Sequence, residues 1–323
     1  MGKFSILGNK TLAADGLLVF IAIIWGTAFV AQKASVESVG SLTFNAIRMM
    51  LGAIVLVPVL IFQRTQKRKH QRQERVPALR LLVFGTICGV LLFLGVTFQQ
   101  IGIQYTSVAN SSFITSLYVI LIPLFGILFG RRTGYATWVA ALIALVALFL
   151  ITGVTDLSNF NRGDIYTLIC AAFTALHVLF VDYAVKKIDA IQLSIVQASI
   201  TSIISFAAAG FNEIYQVKKS PTPEIFNPNF TWQNIIDCAY PLFFAGVLSV
   251  GIGYTLQIVA QKSAPPAHVA IIFSSEAMFA TLTAILVLHE YPAVQSYFGF
   301  ALMLIAMLAT EFDVLRKKRK HAP

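Results

Sequence analysis

Ten long apolar runs fill almost the whole chain of 323 residues, and their length restricts its fold more than any other feature. A helix needs about 20 apolar residues to cross the hydrocarbon core of a bilayer, which is about 30 Å thick. The predicted spans are 14–33, 41–62, 79–100, 108–129, 135–153, 165–185, 190–211, 235–259, 267–288 and 292–311. Because 57% of the residues are hydrophobic and only 12% are charged, a water-soluble fold would expose much of this apolar surface. The runs therefore predict a multi-pass protein whose surroundings are the lipid bilayer.

The basic residues are distributed unevenly between the spans. The net charge of +10 would suggest a nucleic-acid partner in a soluble protein, but here the basic runs flank membrane helices and lack interleaved aromatic residues. If the N-terminus is cytoplasmic, the cytoplasmic segments hold 19 of the 24 Lys and Arg residues. The positive-inside rule then predicts that both termini are cytoplasmic. No nucleic-acid partner is expected.

A short motif occurs twice along the chain. The segment Gly-Val-Thr-Phe-Gln at 95–99 reappears as Gly-Tyr-Thr-Leu-Gln at 253–257, an offset of 158 residues. This offset superimposes the fourth and fifth spans on the ninth and tenth, and it places Tyr118 on Glu276. With five spans in each half, the second half enters the membrane in the opposite orientation. We therefore predict an all-α membrane protein with ten transmembrane helices as two inverted five-helix repeats, 1–153 and 154–323, the arrangement that many transporters build around a central site.

Two ionisable residues lie near the middle of predicted spans. A charged carboxylate at the centre of a bilayer costs about 2.5–3.5 kcal/mol on insertion scales, so Glu276 is expected to face protein or water. It either binds a proton, a cation or a substrate amine, or it braces a broken helix. His177 has the imidazole group that titrates near neutral pH in water. It either handles protons or is a neutral hydrogen-bonding residue.

Three further residues complete the predicted site. Arg48, in the second span, either extends its head group to the interface or pairs with a substrate carboxylate. Trp25 and Tyr118 lie near the midplane, whereas aromatic residues with polar tips usually prefer the membrane interfaces, so both are expected to line a cavity. The predicted substrate-binding residues are Trp25, Arg48, Tyr118, His177 and Glu276.

Sequence patterns for catalysis, cofactors and metals give no candidate. No zinc-protease, serine-hydrolase, Walker or dinucleotide motif is placed where its chemistry could operate. The three cysteines, Cys88, Cys170 and Cys238, have no spacing typical of a metal site or a disulfide, and they are interpreted as small apolar residues. We expect no catalytic residue, cofactor or metal.

The chain resembles the ten-helix transporters of the EamA type in the drug/metabolite transporter superfamily. Segments in both halves match the family's helix patterns in the same order. In the first half these are 25–29 (Trp-Gly-Thr-Ala-Phe) followed by Lys33, 44–48 (Phe-Asn-Ala-Ile-Arg), 105–110 (Tyr-Thr-Ser-Val-Ala-Asn), 116–119 (Ser-Leu-Tyr-Val) and 130–132 (Gly-Arg-Arg). In the second half they are Gly163-Asp164, Ala175-Leu176-His177, Ser275-Glu276-Ala277 and His289-Glu290.

The resemblance implies an inverted five-plus-five bundle in a bacterial inner membrane with a central cavity. The function expected from it is secondary transport, as an exporter, of small metabolites such as amino acids by alternating access around a midplane cavity. Proton coupling and either a monomer or a homodimer are compatible with it. One alternative is an intramembrane enzyme or lipid-handling protein that uses His177 and Glu276 as acid and base. Another is a membrane receptor or assembly factor that does not transport.

Overall fold

A computed structural model describes residues 2–36, 38–69, 77–131, 133–152, 161–211, 231–288 and 293–320. Within these ranges the chain is helical and contains no strand. The elements are α1 (Gly2–Ser35), α2 (Ser41–Lys69), α3 (Ala78–Tyr105), α4 (Val108–Ser116), α5 (Tyr118–Leu128), α6 (Tyr135–Thr152), α7 (Arg162–Ala184), α8 (Ala190–Ala209), α9 (Trp232–Asp237), α10 (Ala239–Phe243), a π-helix here named the π segment (Phe244–Tyr254), α11 (Thr255–Gln261), α12 (Pro266–Phe273), α13 (Glu276–Leu288) and α14 (Val294–Lys320). His289-Glu290 and the residues 153 and 292 at the ends of two predicted spans lie outside the described part.

Eight helical stretches among the described residues are long and apolar enough to cross a membrane. Two shorter apolar helices, Tyr135–Ile151 and Val294–Ala309, lie where the fifth and tenth spans are predicted. The all-helical fold class and its ten spans are thus confirmed. The fourth span consists of α4 and α5, the eighth of α10, the π segment and α11, and the ninth of α12 and α13.

The predicted start of the eighth span is wrong by several residues. The chain forms a separate short helix, α9, whose first turn is capped because the side chain of Thr231 accepts a hydrogen bond from the backbone N–H of Asn234. A break at Cys238 separates this helix from the membrane-spanning stretch Ala239–Gln261. The apolar residues before the break extended the sequence pattern backwards to 235.

The packing of the helices has approximate two-fold symmetry. A contact between two spans of the first half recurs between the spans five places later in the chain. Helix α2 packs on its own counterpart α8, and α6 packs on its counterpart α14. Helix α3 packs on α7, and its counterpart, the eighth span, packs on α1. In the same way, the fourth span packs on α7 and its counterpart, the ninth span, packs on α1. Since each half crosses the membrane five times, the two halves enter from opposite faces and form an inverted repeat.

The fourth and ninth spans are interrupted at equivalent positions. The backbone N–H of Leu117 bonds to the carbonyl of Ile114 at 3.2 Å, and the N–H of Ser275 bonds to the carbonyl of Ile272 at 3.1 Å. These tighter turns end α4 and α12, and the next helices begin at Tyr118 and at Glu276. The same local fold, 158 residues apart, therefore places these two residues at equivalent points of the two repeats.

A glycine allows α1 to approach the ninth span closely. A Cβ atom built on Gly26 would lie 2.6 Å from the carbonyl oxygen of Glu276 and 2.7 Å from the backbone nitrogen of Ala280. Only a residue without a side chain fits between these backbones. This contact fixes Trp25, the preceding residue, close to the start of α13.

Candidate functional site

A cavity of about 620 Å³, including the part that opens outward, lies between the two repeats. Trp25, Arg48, Tyr118, His177 and Glu276 all line it. These five residues come from five different spans, α1, α2, the fourth span, α7 and the ninth span. The fold thus brings together every residue that the sequence singled out, while their binding of a substrate stays a prediction.

Tyr118 and Glu276 are in direct contact across the two-fold axis. The Tyr118 hydroxyl donates a hydrogen bond of 2.9 Å to Glu276 Oε1, and the Ser116 hydroxyl lies 3.4 Å from the same oxygen. Tyr118 and Glu276 are both buried, with exposed fractions of 2% and 3%. Glu276 occupies the first turn of α13, where the helix dipole favours a negative charge. Among the described residues no Lys, Arg or His forms an ion pair with this carboxylate.

Arg48 does not extend to the membrane interface, because its side chain is only 3% exposed. Its guanidinium carbon lies 5.2 Å from the centre of the Phe44 ring. The Nε and Nη2 atoms are buried and have no hydrogen-bond partner in the described structure. These two nitrogens form one edge of the planar group, and their N–H bonds match the two oxygens of a carboxylate. Arg48 and Glu276 therefore bring a guanidinium and a carboxyl group to one cavity without pairing with each other.

His177 is held by a neighbouring amide. Its Nε2 atom lies 3.0 Å from Oε1 of Gln197 on α8, and the residue is 1% exposed. The Tyr254 ring stands edge-on to the imidazole, with 6.1 Å between the ring centres. The structure displays the hydrogen-bonding role of His177, and proton handling stays a prediction.

Trp25 is fixed at the cavity wall by a hydrogen bond and by two rings. Its indole Nε1 donates to the backbone carbonyl of Ser249 in the π segment at 3.3 Å. The rings of Tyr254 and Phe273 lie 5.0 Å and 4.9 Å from the indole, in tilted orientations. Tyr254 therefore connects Trp25 to His177.

Sequence reasoning missed several polar residues of the cavity. Gln99 and Gln257 both line it, and they occupy the same position of the repeated motif. Positions of an inverted repeat that lie near its axis come together in the fold, so the repeated motif was the signal that could have identified both glutamines. Tyr254 belongs to the same motif. Cys170, interpreted from the sequence as a small apolar residue, also lines the cavity beside Thr174.

The fold and the cavity together define a multi-pass helical membrane protein with a chamber, lined by polar and apolar residues, between two inverted repeats. The sequence profile of the EamA-like transporter family matches residues 12–153 and 161–311. The chain belongs to this family. Membership supports a transport function for the chain and agrees with a protein that is not an enzyme.

Relatives from distant microorganisms carry similar descriptions. An "Uncharacterized transporter" of Archaeoglobus fulgidus is 29% identical over 308 residues, which cover 95% of this chain and 88% of that protein. The "Uncharacterized transporter YoaV" of Bacillus subtilis is 22% identical over 313 residues, covering 93% and 97%. The "Uncharacterized inner membrane transporter YedA" of Escherichia coli K12 is 28% identical over 169 residues, half of each chain.

A protein of known crystal structure shares the fold of the whole chain. The alignment covers 96% of this chain and 99% of that chain, with a TM-score of 0.69 and 16% sequence identity. At this identity the match describes the arrangement of the helices alone.

Proposed function

We propose that the protein is a secondary transporter that exports small metabolites such as amino acids by alternating access around the cavity. The observation that carries this proposal is the separation of Arg48 from Glu276. Both side chains line one cavity, both are buried, and they form no ion pair with each other. A free amino acid offers a carboxylate to the first group and an ammonium to the second.

The energetics favour a ligand of this kind. An uncompensated charge in a low-dielectric interior costs several kcal/mol, and an opposite charge with good hydrogen-bond geometry offsets that cost. A zwitterion would satisfy the free edge of Arg48 and the carboxylate of Glu276 at the same time.

Proton coupling would use the same carboxylate. The buried carboxyl group of Glu276 is most stable when it has bound a proton or faces a cation. If the substrate amine and a proton compete for it, the return of the unloaded carrier is linked to proton movement. Tyr118, whose hydroxyl donates to Glu276, would hold the carboxylate in place in both states.

The orientation follows from the charges outside the bundle. We propose that both termini are cytoplasmic, because 19 of the 24 Lys and Arg residues then lie on the cytoplasmic side. The relative YedA is described as an inner membrane transporter, and we extend this location to the present chain. The halves 1–153 and 154–323 would exchange conformations during the cycle.

The test is transport by purified protein in liposomes, with radiolabelled amino acids as probes. Glu276→Gln and Arg48→Gln should each reduce the initial rate at least tenfold at equal protein content. Lys186→Gln is the matched control, because Lys186 pairs with Asp182 at a helix end and does not line the cavity. Wild-type rates in both cavity variants would contradict the site.

The same assay separates the two alternative functions. His177 and Glu276 line one cavity, but their hydrogen bonds go to Gln197 and Tyr118 and not to each other. An intramembrane enzyme would release a chemically altered product, whereas a transporter returns unchanged solute. Binding without flux would favour the receptor or assembly factor.

A further inference from the structure

The eighth span differs from its counterpart, the third span, in its helix type. Helix α3 is α-helical from Ala78 to Tyr105, whereas the eighth span contains the π segment, Phe244–Tyr254. A π-helix of this kind commonly results from an extra residue within an α-helix, and such segments are frequent at functional sites. The glycine contacts of the two spans show where the extra residue lies.

Gly89 in the third span and Gly246 near the beginning of the π segment make the same contact. A Cβ atom on Gly89 would lie 2.7 Å from Cβ of Ile200 and 3.0 Å from the carbonyl oxygen of Gln197, three residues earlier. A Cβ atom on Gly246 would lie 2.8 Å from Cβ of Leu51 and 3.1 Å from the carbonyl oxygen of Arg48, again three residues earlier. Since α2 and α8 are counterparts, the two glycines are structurally equivalent.

Gly95 and Gly253 make the matching contact at its end. Gly253 lies against Trp25 of α1, where an added Cβ atom would lie 2.7 Å from the indole Nε1. Gly95 lies against Thr174 of α7, the counterpart of α1, where an added Cβ atom would lie 3.4 Å from the side-chain oxygen of Thr174. The first pair of glycines is therefore offset by 157 residues and the second pair by 158.

From Gly89 to Gly95 is six positions, and from Gly246 to Gly253 is seven. We infer that the eighth span contains one residue more than the third, that the π segment accommodates it, and that this segment is the element that positions Trp25 at the cavity. The role at the cavity rests on the proposed function. Trp25 and the turn of α2 that carries Arg48 contact the two glycines on either side of the extra residue.

The two walls of the cavity on either side of the axis are chemically different. Thr174, the equivalent of Trp25, lines the cavity with a small hydroxyl group that lies 3.7 Å from Cys170 Sγ, whereas Trp25 donates to the Ser249 carbonyl of the π segment. The third span contributes the apolar side chains Leu91, Leu92 and Val96 to the cavity. The eighth span contributes Ser249, Tyr254 and Gln257, with Gln257 matched by Gln99. A substrate with one polar and one apolar side is therefore held in a single orientation.

Deletion of one residue tests this inference. Removing Val247 from the π segment restores the six-residue spacing that the third span already uses, so the protein should still fold, with a melting temperature in detergent within a few degrees of the parent. Removing Leu91 from α3 is the matched control. It shortens a span that has no extra residue, so it should abolish folding.

Whether the π segment positions Trp25 can be measured on Trp25 itself, independently of transport. In a parent that carries Trp138→Phe and Trp232→Phe, ultraviolet resonance Raman spectra report the hydrogen bond at the indole Nε1 of Trp25 alone. The Val247 deletion should remove this signature and reduce amino-acid transport in liposomes at least tenfold. Trp25→Phe, which keeps a ring but removes the donor, should cause a similar loss, and the double variant should add little to it.

Each outcome decides a different statement. If the Val247 deletion unfolds the protein as the Leu91 deletion does, the extra residue is not where the contacts place it. If the deletion folds and the indole hydrogen bond persists, the π segment does not position Trp25. If the wild-type protein moves no amino acid, the proposed function fails, while the melting and Raman measurements still decide the structural inference.

Discussion

The contact between Tyr118 and Glu276 joins two residues that the repeat makes equivalent. In an exactly symmetric dimer such positions carry the same residue, and two glutamates at this distance would repel each other. The chain instead has a hydroxyl donor on one side and a carboxylate acceptor on the other, 2.9 Å apart. Duplication within one chain therefore allows a hydroxyl-to-carboxyl hydrogen bond at the axis, whereas a homodimer with glutamate at both positions would have to protonate one carboxylate.

Tyr118→Phe is expected to weaken the site without breaking the fold. The substitution removes the donor to Glu276 and leaves the Ser116 hydroxyl, at 3.4 Å, as the remaining protein donor. A side-chain hydrogen bond between membrane helices is worth about 1 kcal/mol, so the melting temperature in detergent should fall by only a few degrees. Transport should fall more severely, because the carboxylate is no longer held in one position.

Tyr183→Phe is the control for this substitution, since Tyr183 is 45% exposed and lies outside the cavity. Equal transport by Tyr118→Phe and Tyr183→Phe would show that the contact at the axis has no role in the cycle.

Arg48→Lys is expected to impair recognition of carboxylates although the charge is kept. The lysine ammonium is a single point of charge and lacks the planar edge formed by Nε and Nη2. Loss of one arm of a bidentate, charge-assisted pair should raise KM about tenfold or more for amino acids. The corresponding decarboxylated amines, measured in the same liposomes, should show little change between wild type and variant. An equal effect on amino acids and amines would argue that Arg48 supports the fold rather than the substrate.

Helix contacts at glycines determine how closely the elements of the bundle approach. Gly26→Ala would place a methyl group 2.6 Å from the backbone of α13, and overpacking of this kind costs about 1–3 kcal/mol. Gly16→Ala, on the same helix, meets nothing within 4 Å and should leave stability unchanged or slightly higher. Melting curves of the two variants in detergent measure the difference. Similar melting temperatures would mean that α1 moves away from α13 at no cost.

The ten spans could be predicted because each depends on composition alone. A run of about 20 apolar residues is recognisable without knowledge of any partner, and the offset of 158 residues follows from a motif in the printed sequence. The start of the eighth span was missed because the apolar residues Ile235 and Ile236 also precede the break at Cys238. The π segment could not be predicted either. A single constant offset hides an insertion, which becomes visible only when Gly89 and Gly246 are seen to make the same contact.

The site was predictable to the extent that polar residues are costly in a membrane. Glu276, Arg48 and His177 stand out because an isolated charge or imidazole within an apolar span needs an explanation. Their partners do not stand out. Gln197, which bonds to His177, and Tyr254, which lies between His177 and Trp25, resemble ordinary residues of a helix until tertiary packing places them.

At the scale of the whole molecule, two groups of spans are joined at both ends of the cavity. Helices α3 and α7 and the fourth span form one group, and α1 and the eighth and ninth spans form the other. At one end, Lys33 of α1 donates to the carbonyls of Ile103 and Thr106 at the end of α3, at 2.7 Å and 3.0 Å. At the opposite end, Gln261 of α11 donates to the carbonyl of Val178 on α7 at 2.9 Å.

Alternating access predicts opposite effects when these two contacts are removed. In a parent carrying Cys88→Ser and Cys238→Ser, Cys170 reports exposure of the cavity to a membrane-impermeant thiol reagent added to intact cells. Lys33→Ala should speed the labelling of Cys170, because the Lys33 end is predicted to be extracellular. Gln261→Ala should slow it, because loosening the other end shifts the population towards a cavity that opens inward. A contact worth about 1 kcal/mol changes such a population about fivefold. Reversed signs would invert the proposed topology, whereas two changes in the same direction would contradict alternating access itself.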